Sequence, residues 1–145
     1  MKFPDHAAVN AQTGFLLRKV STASFDSFCE VTGAHDLHPM HFGLMMMIEA
    51  EEPIAQHELG SRTGIDPSTM VARMDALEER GLVERTRCAD DRRSYDIRLS
   101  VPGRTLLAKL RKEADAHAER FFAPLTKAEW GRLHELLTKL AADLE

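Results

Sequence analysis

One stretch of this chain leaves little freedom in how it folds: Gly64-Ile65-Asp66-Pro67-Ser68-Thr69, followed by Gly81. Asp66 can accept hydrogen bonds from the free N–H groups of a helix start, and Pro67 suits the first helical position, where its missing N–H is no loss. Met70, Met74 and Leu77 then fall on one helical face, and Gly81 supplies the left-handed residue that ends the helix. Just upstream, Pro53 starts a short helix through IAQHELGSRTG that stops at Gly64. Two short helices joined by a tight turn form a helix-turn-helix.

After Gly81 the pattern changes to two short extended runs, LVERTRC and YDIRLS, separated by ADDRRS. Alternation of Tyr95, Ile97 and Leu99 predicts a strand with one buried face, so the two runs read as a β-hairpin. Helical periodicity governs the rest. Phe15, Leu16, Lys19, Val20, Ala23 and Phe28 stripe a helix from about Asp5 to Val31, ended by Gly33. His38-Pro39 opens a second helix, apolar nearly all round, to about Ala50. Ser100 caps a helix that turns Leu106, Leu107 and Leu110 inward. Beyond a break at Pro124, the capping box Thr126–Glu129 starts a last helix running to Leu144.

The order is α-α-α-α-β-β-α-α: mostly α with a small β-hairpin wing, a winged helix-turn-helix. We expect one chain unit, 1–145, with a DNA-binding lobe at 34–100 and dimerisation helices at 1–33 and 101–145. The terminal helices lie far apart in sequence, and neither can bury its stripe on the small central unit alone. A homodimer through these helices follows as a physical expectation.

Composition sets limits on function. The 145 residues are 43% hydrophobic and 29% charged, the balance of a globular chain. Cys29 and Cys88 make no disulfide framework and no Cys-x-x-Cys pair. The opening MKFPDHAAVNAQ lacks an apolar signal core, and no uncharged apolar run approaches membrane-spanning length, so a cytoplasmic location with no membrane partner is expected. Hydrolase, zinc-protease, P-loop and dinucleotide motifs are absent, which argues against an enzyme and implies no cofactor.

The net charge of −4 argues against nucleic acid until its distribution is considered. Residues 1–79 carry 5 basic and 12 acidic side chains, a net of −7; residues 80–111 carry 9 and 4, a net of +5. A local basic face is what phosphate binding requires, although a solvated hairpin explains the same charges equally well. On the helix after Asp66, Ser68, Thr69 and Arg73 lie off the buried stripe and could reach phosphates or bases, or merely support the helix start. At the hairpin tip, Arg92 and Arg93 suit a narrow minor groove, and Asp91 can hold a guanidinium in place; the alternative is a solvated turn.

GLVERTRCADDRRSYDIRLSVPGRTLL resembles the signature of MarR-type transcriptional regulators: a Gly-Leu-Val-Glu-Arg turn, an Asp-x-Arg wing, then a helix with Gly in its first turn. ELGSRTGIDPSTMVARMDALEERG is similar to the same family's helix-turn-helix, and length and element order agree across essentially the whole chain. The resemblance implies a homodimer on a pseudo-palindromic operator in double-stranded DNA, usually a repressor released by a small-molecule effector. It places Asp91 and Arg93 in the family's wing, and Ser68, Thr69 and Arg73 on its recognition helix. The chain departs from the family where Arg73 stands at an often apolar position, and where Ser100-Val101-Pro102-Gly103 replaces Thr-Glu-Lys-Gly.

In many relatives the effector is a phenolic or aromatic carboxylate held between the dimer helices and the DNA-binding lobe. By that resemblance, Phe25, Phe28, Phe42, Met45 and Met46 would line such a pocket, with Arg18, His38 or His41 for a carboxylate; the same residues could equally be core. Zinc-responsive relatives offer an alternative, with Cys29, Glu30, His38, His41 and His117 as possible ligands and His35 beside them. No metal is expected on the first reading. A redox sensor is disfavoured, because Asp26 and Glu30 near Cys29 oppose a thiolate. A winged-helix module that binds protein instead of DNA is the remaining alternative.

Overall fold

The computed structural model describes residues 6–88 and 94–144. The elements in order are α1 (Ala7–Asn10), α2 (Thr13–Gly33), α3 (Pro39–Glu51), β1 (Ile54–Ala55), α4 (Gln56–Thr63), α5 (Pro67–Glu79), β2 (Val83–Arg87), β3 (Tyr95–Leu99), α6 (Val101–Phe121) and α7 (Lys127–Ala142). A mostly helical chain with one small antiparallel sheet is the winged-helix architecture expected from the sequence.

The local signals act as anticipated at most element ends. Asp66 Oδ1 accepts from the Thr69 N–H at 3.0 Å, and Gly64 and Gly81 take φ of 65° and 66°. Ser100 Oγ accepts from the Gly103 N–H at 3.0 Å, so the replacement of Thr-Glu-Lys-Gly keeps its cap. Thr126 and Glu129 form the reciprocal capping box.

Three boundaries differ from the expectation. The helix predicted from Asp5 to Val31 is two helices, because Gln12 leaves the helical region at φ −96°, ψ 117°. No residue of α1 is buried, so no packing holds this end in one continuous helix. Helix α2 runs two residues past Val31 to end at Gly33, but the left-handed residue of the turn is Asp36, at φ 53°, which Asp tolerates better than most residues. Finally, Ile54-Ala55 after Pro53 is strand rather than helix, because Ile54 pairs with Ile97 and becomes the third strand of the sheet.

The sheet order is β1-β3-β2, with Val83 opposite Leu99 and Arg85 opposite Ile97. Its buried face, Ile54, Val83, Ile97 and Leu99, joins Met45 and Ile48 of α3, Leu59 of α4, the Met70-Met74-Leu77 stripe of α5, and Leu107 and Leu110 of α6. All core hydrophobics lie between Leu37 and Leu110. The terminal helices contribute little to this core: α2 buries only Thr32, and no residue of α7 is buried.

The first turn of α6 lies against the Gly81-Leu82 turn, and a Cβ built on Gly103 would come within 2.0 Å of the Leu82 carbonyl oxygen. Backbone cannot yield as a flexible side chain can. Gly103→Ala should therefore lower unfolding free energy by about 1–3 kcal/mol in urea titration. Gly43→Ala, where an added Cβ meets nothing within 4 Å inside a helix, should raise it by about 0.5–1 kcal/mol.

Candidate nucleic-acid interface

Helix α5 is held at both ends and along one face. Asp66 caps its start, drawing hydrogen bonds from the Ser68 hydroxyl and the Thr69 N–H that depress its carboxyl well below the usual range. The Met70-Met74-Leu77 stripe fixes its rotation about its axis. Ser68, Val71 and Ala72 are then exposed, with Thr69 and Arg73 half-buried on one flank. Val71 did not stand out in the sequence, although a wheel through the buried stripe shows an apolar side chain left off it.

Arg73 is half-buried, and its charge lies near the start of α3. Its charge, after burial, helps lower the pKa of both His38 and His41. Farther along the same flank, the Arg80 guanidinium donates to the Asp36 carbonyl at 3.0 Å. On the other flank, Arg85 of β2 holds Asp75 and Glu78 together, each at 2.5 Å.

The wing rises from β2 and β3. The wing-tip candidates Asp91, Arg92 and Arg93 lie outside the described residues. At its root, Tyr95 lies under the guanidinium groups of Arg85 and Arg87, at 5.7 and 5.5 Å. Ser94 Oγ meets His57 Nδ1 of α4 at 3.1 Å, tying the wing to the helix-turn-helix. A cleft of about 510 Å³ opens between α4, the start of α5 and the wing root, bordered by Gln56, His57, Pro67, Val71 and Tyr95.

Several cations of the basic window 80–111 are engaged inside the chain. Besides Arg80 and Arg85, Arg104 pairs with Glu52, Arg111 with Glu49 and Lys109 with Glu113. Much of the positive window thus meets acidic residues from elsewhere in the chain, and Arg98 is exposed on β3 near the wing. Pairings between distant positions are not visible in a count of charges.

The expected effector residues divide into two groups. Phe25 is half exposed, and Phe28 sits edge-on to Phe42 at 5.5 Å. Phe25 and Phe28 line a cleft of about 430 Å³ between α2 and α6, together with Ser21, Ser24, His117 and Phe122. Met45 is fully buried, Phe42 nearly so, and both belong to the core behind this cleft. Arg18 lies exposed on α2.

The histidines are occupied structurally. His38 caps α3 by accepting from the Met40 N–H at 3.1 Å, while His41 Nδ1 accepts from the His38 N–H at 3.2 Å. His35 pairs with Glu113 at 2.6 Å, and His117 with the Ser27 hydroxyl at 2.7 Å. Among the described residues no group of three or more His, Cys, Asp or Glu is placed to hold a metal ion, so Cys29, Glu30, His38, His41 and His117 do not assemble into one centre.

A model of the MarR family matches residues 35–94. The chain is 30% identical over 136 residues to a transcriptional regulatory protein of Thauera aromatica named for the hcr operon, covering 93% of this chain and 82% of that one. It is 32% identical over 110 residues to the HTH-type transcriptional regulator SarZ of Staphylococcus haemolyticus, covering 76% and 75%. The solved structure of the transcriptional repressor CouR bound to a 23-mer DNA duplex matches with a TM-score of 0.85 at 29% identity, covering 97% of this chain and 99% of that one. The two curated relatives are transcriptional regulators, not enzymes. Among the described residues no helix is long and apolar enough to cross a membrane.

His41 gives this region a pH signature. Burial, then the charges of Arg73, His38 and Arg80, lower its pKa from 6.5 to about 4. Between those values the unfolded chain takes up a proton that the folded chain refuses. Stability should thus be full above the ordinary histidine range and fall as pH drops toward 4. Urea midpoints between about pH 7 and pH 5 should show this fall, and His41→Gln should flatten it.

Proposed function

This chain belongs to the MarR family of transcriptional regulators, and from that premise we propose that it binds a pseudo-palindromic operator in double-stranded DNA as a homodimer, in the cytoplasm. It represses transcription there until a small aromatic or phenolic acid releases it. The observation that carries the DNA reading is α5: capped at its start, locked by its buried stripe, and exposed along Ser68, Val71 and Ala72. In the dimer two such helices enter successive major grooves roughly 34 Å apart. Ser68, Thr69 and Arg73 meet the duplex from α5. Arg92 and Arg93 meet it from the wing, with Asp91 orienting Arg93 toward the minor groove.

Exposed apolar side chains support the dimer. Phe15, Leu16, Leu17 and Val20 on α2, and Leu136, Leu137 and Leu140 on α7, are each more than a third exposed. Residues 1–33 and 101–145 supply this pairing surface, and residues 34–100 form the DNA-binding lobe. The effector occupies the cleft between α2 and α6, against Phe25 and Phe28, with Ser21, Ser24 and His117 for its polar groups. Because α6 also packs on the lobe, a ligand there can alter the spacing of the two α5 helices. It shifts DNA affinity by as much as it binds the two spacings differently.

Light scattering should give twice the 16.3 kDa chain mass; a folded monomer would sink this architecture. On an operator recovered from the organism's own genome, Arg93→Ala should weaken binding by roughly 1–3 kcal/mol, with a shallower salt dependence and little change in fold stability. Asp91→Ala should weaken it as well, although it removes a negative charge; tighter binding would leave only nonspecific attraction at the wing. Aromatic acids should raise the melting temperature and release the operator, and Ser24→Phe, which fills the cleft, should abolish that response without abolishing DNA binding.

A further inference from the structure

The reading surface of α5 has an unusual chemistry. Its thirteen residues include a single basic one, Arg73, and no Asn or Gln. Arg73 is half-buried, and its charge lies near His38 and His41. Asp75 and Glu78 are held by Arg85. The exposed side chains of the first two turns are Pro67, Ser68, Val71 and Ala72, with Thr69 half-buried beside them. Val71 is 44% exposed, well short of a core residue, at the lip of the cleft between α4, α5 and the wing root.

In the major groove guanine is read by Arg or Lys and adenine by Asn or Gln, whereas the 5-methyl group of thymine is read by apolar contact. Among the exposed side chains of α5 none is Arg, Lys, Asn or Gln, and two carry the methyl groups that the last kind of contact needs. We infer that the base feature recognised by α5 is the thymine 5-methyl group, with Val71 and Ala72 as the specificity-determining contacts. The inference rests on the DNA-binding reading above and adds what that reading leaves open, the kind of base edge that sets specificity. Ser68 then serves a phosphate, which positions the helix without carrying sequence. Selectivity arises from the fit of methyl against methyl, with the polar atoms of neighbouring bases left to water.

The test uses the full-length protein and a pool of random-sequence DNA duplexes. Duplexes retained by the protein should share thymines in each half-site. Replacing one such thymine by deoxyuridine removes only its methyl and should weaken binding about 3- to 5-fold, the effect of one buried carbon. Val71→Ala lies on an exposed helical face and favours helix, so its melting temperature should be unchanged or raised. In that variant the deoxyuridine penalty should vanish at one thymine and persist at the others, which a double-mutant cycle reads directly. Selected half-sites without shared thymines, deoxyuridine tolerated at every position, or penalties identical in wild type and Val71→Ala would each overturn the assignment while leaving DNA binding intact. Retention of no duplex at all would overturn the DNA-binding reading and this inference with it.

Discussion

The Gly81-Leu82 turn is where the two halves of the molecule are joined. The Leu82 N–H donates to the Leu77 carbonyl at 2.9 Å, closing α5. The Leu82 carbonyl accepts from the Ser100 N–H at 3.1 Å, ending β3 beside the start of β2. The Ser100 hydroxyl donates to the Gly81 carbonyl and also caps α6, while Gly103 lets α6 lie directly on the Leu82 backbone. Helix α5, the wing strands β2 and β3, and the long helix α6 thus share one turn. Relative movement of α5 and α6 would strain backbone hydrogen bonds there.

A second junction lies at the α2–α3 corner. Arg80 reaches from the end of α5 to the Asp36 carbonyl, and Arg73 sits near the His38–His41 pair that caps α3. Phe25 of α2 stands against His38 at a ring separation of 6.1 Å. The cleft between α2 and α6 is therefore linked to α5 from two sides, through His38 and Arg73 on one and through α6 and Leu82 on the other. The buried, neutral His41 is tolerated because its Nδ1 is bonded to the corner it stabilises, even though its Nε2 has no partner among the described residues.

Electrostatics in this chain serves assembly before it serves any ligand. Glu52 accepts from the Leu99 N–H at 2.8 Å and pairs with Arg104, pinning the end of β3 to α6; these bonds outweigh its burial and hold its carboxyl below the usual range. Arg111 and Glu49 join α6 to α3 in the same way. Half-buried pairs of this kind contribute through the hydrogen bonds they complete more than through net charge. The positive window in the sequence was a true signal of a charged region, but several of its cations face carboxylates from the first half of the chain.

The sequence by itself determined the features set by short-range chemistry. Caps at Asp66, Ser100 and Thr126, left-handed glycines at 64 and 81, and the Met70-Met74-Leu77 stripe depend on neighbours within a few residues, so residue type and spacing suffice to read them. Together with the hairpin pattern they specified a winged helix-turn-helix and its family. The tertiary structure decided what depends on residues far apart in the chain. It drew Ile54 into the sheet opposite Ile97, brought Arg85 to Asp75 and Glu78, and paired His35 with Glu113. It also sent Met45 into the core while leaving Phe25 at a cleft shared with His117. Phe25 and Met45 were candidates for one and the same pocket, and the packing of α6 against both helices distinguishes a wall from a core, because burial is a property of the assembled surfaces and not of the side chain.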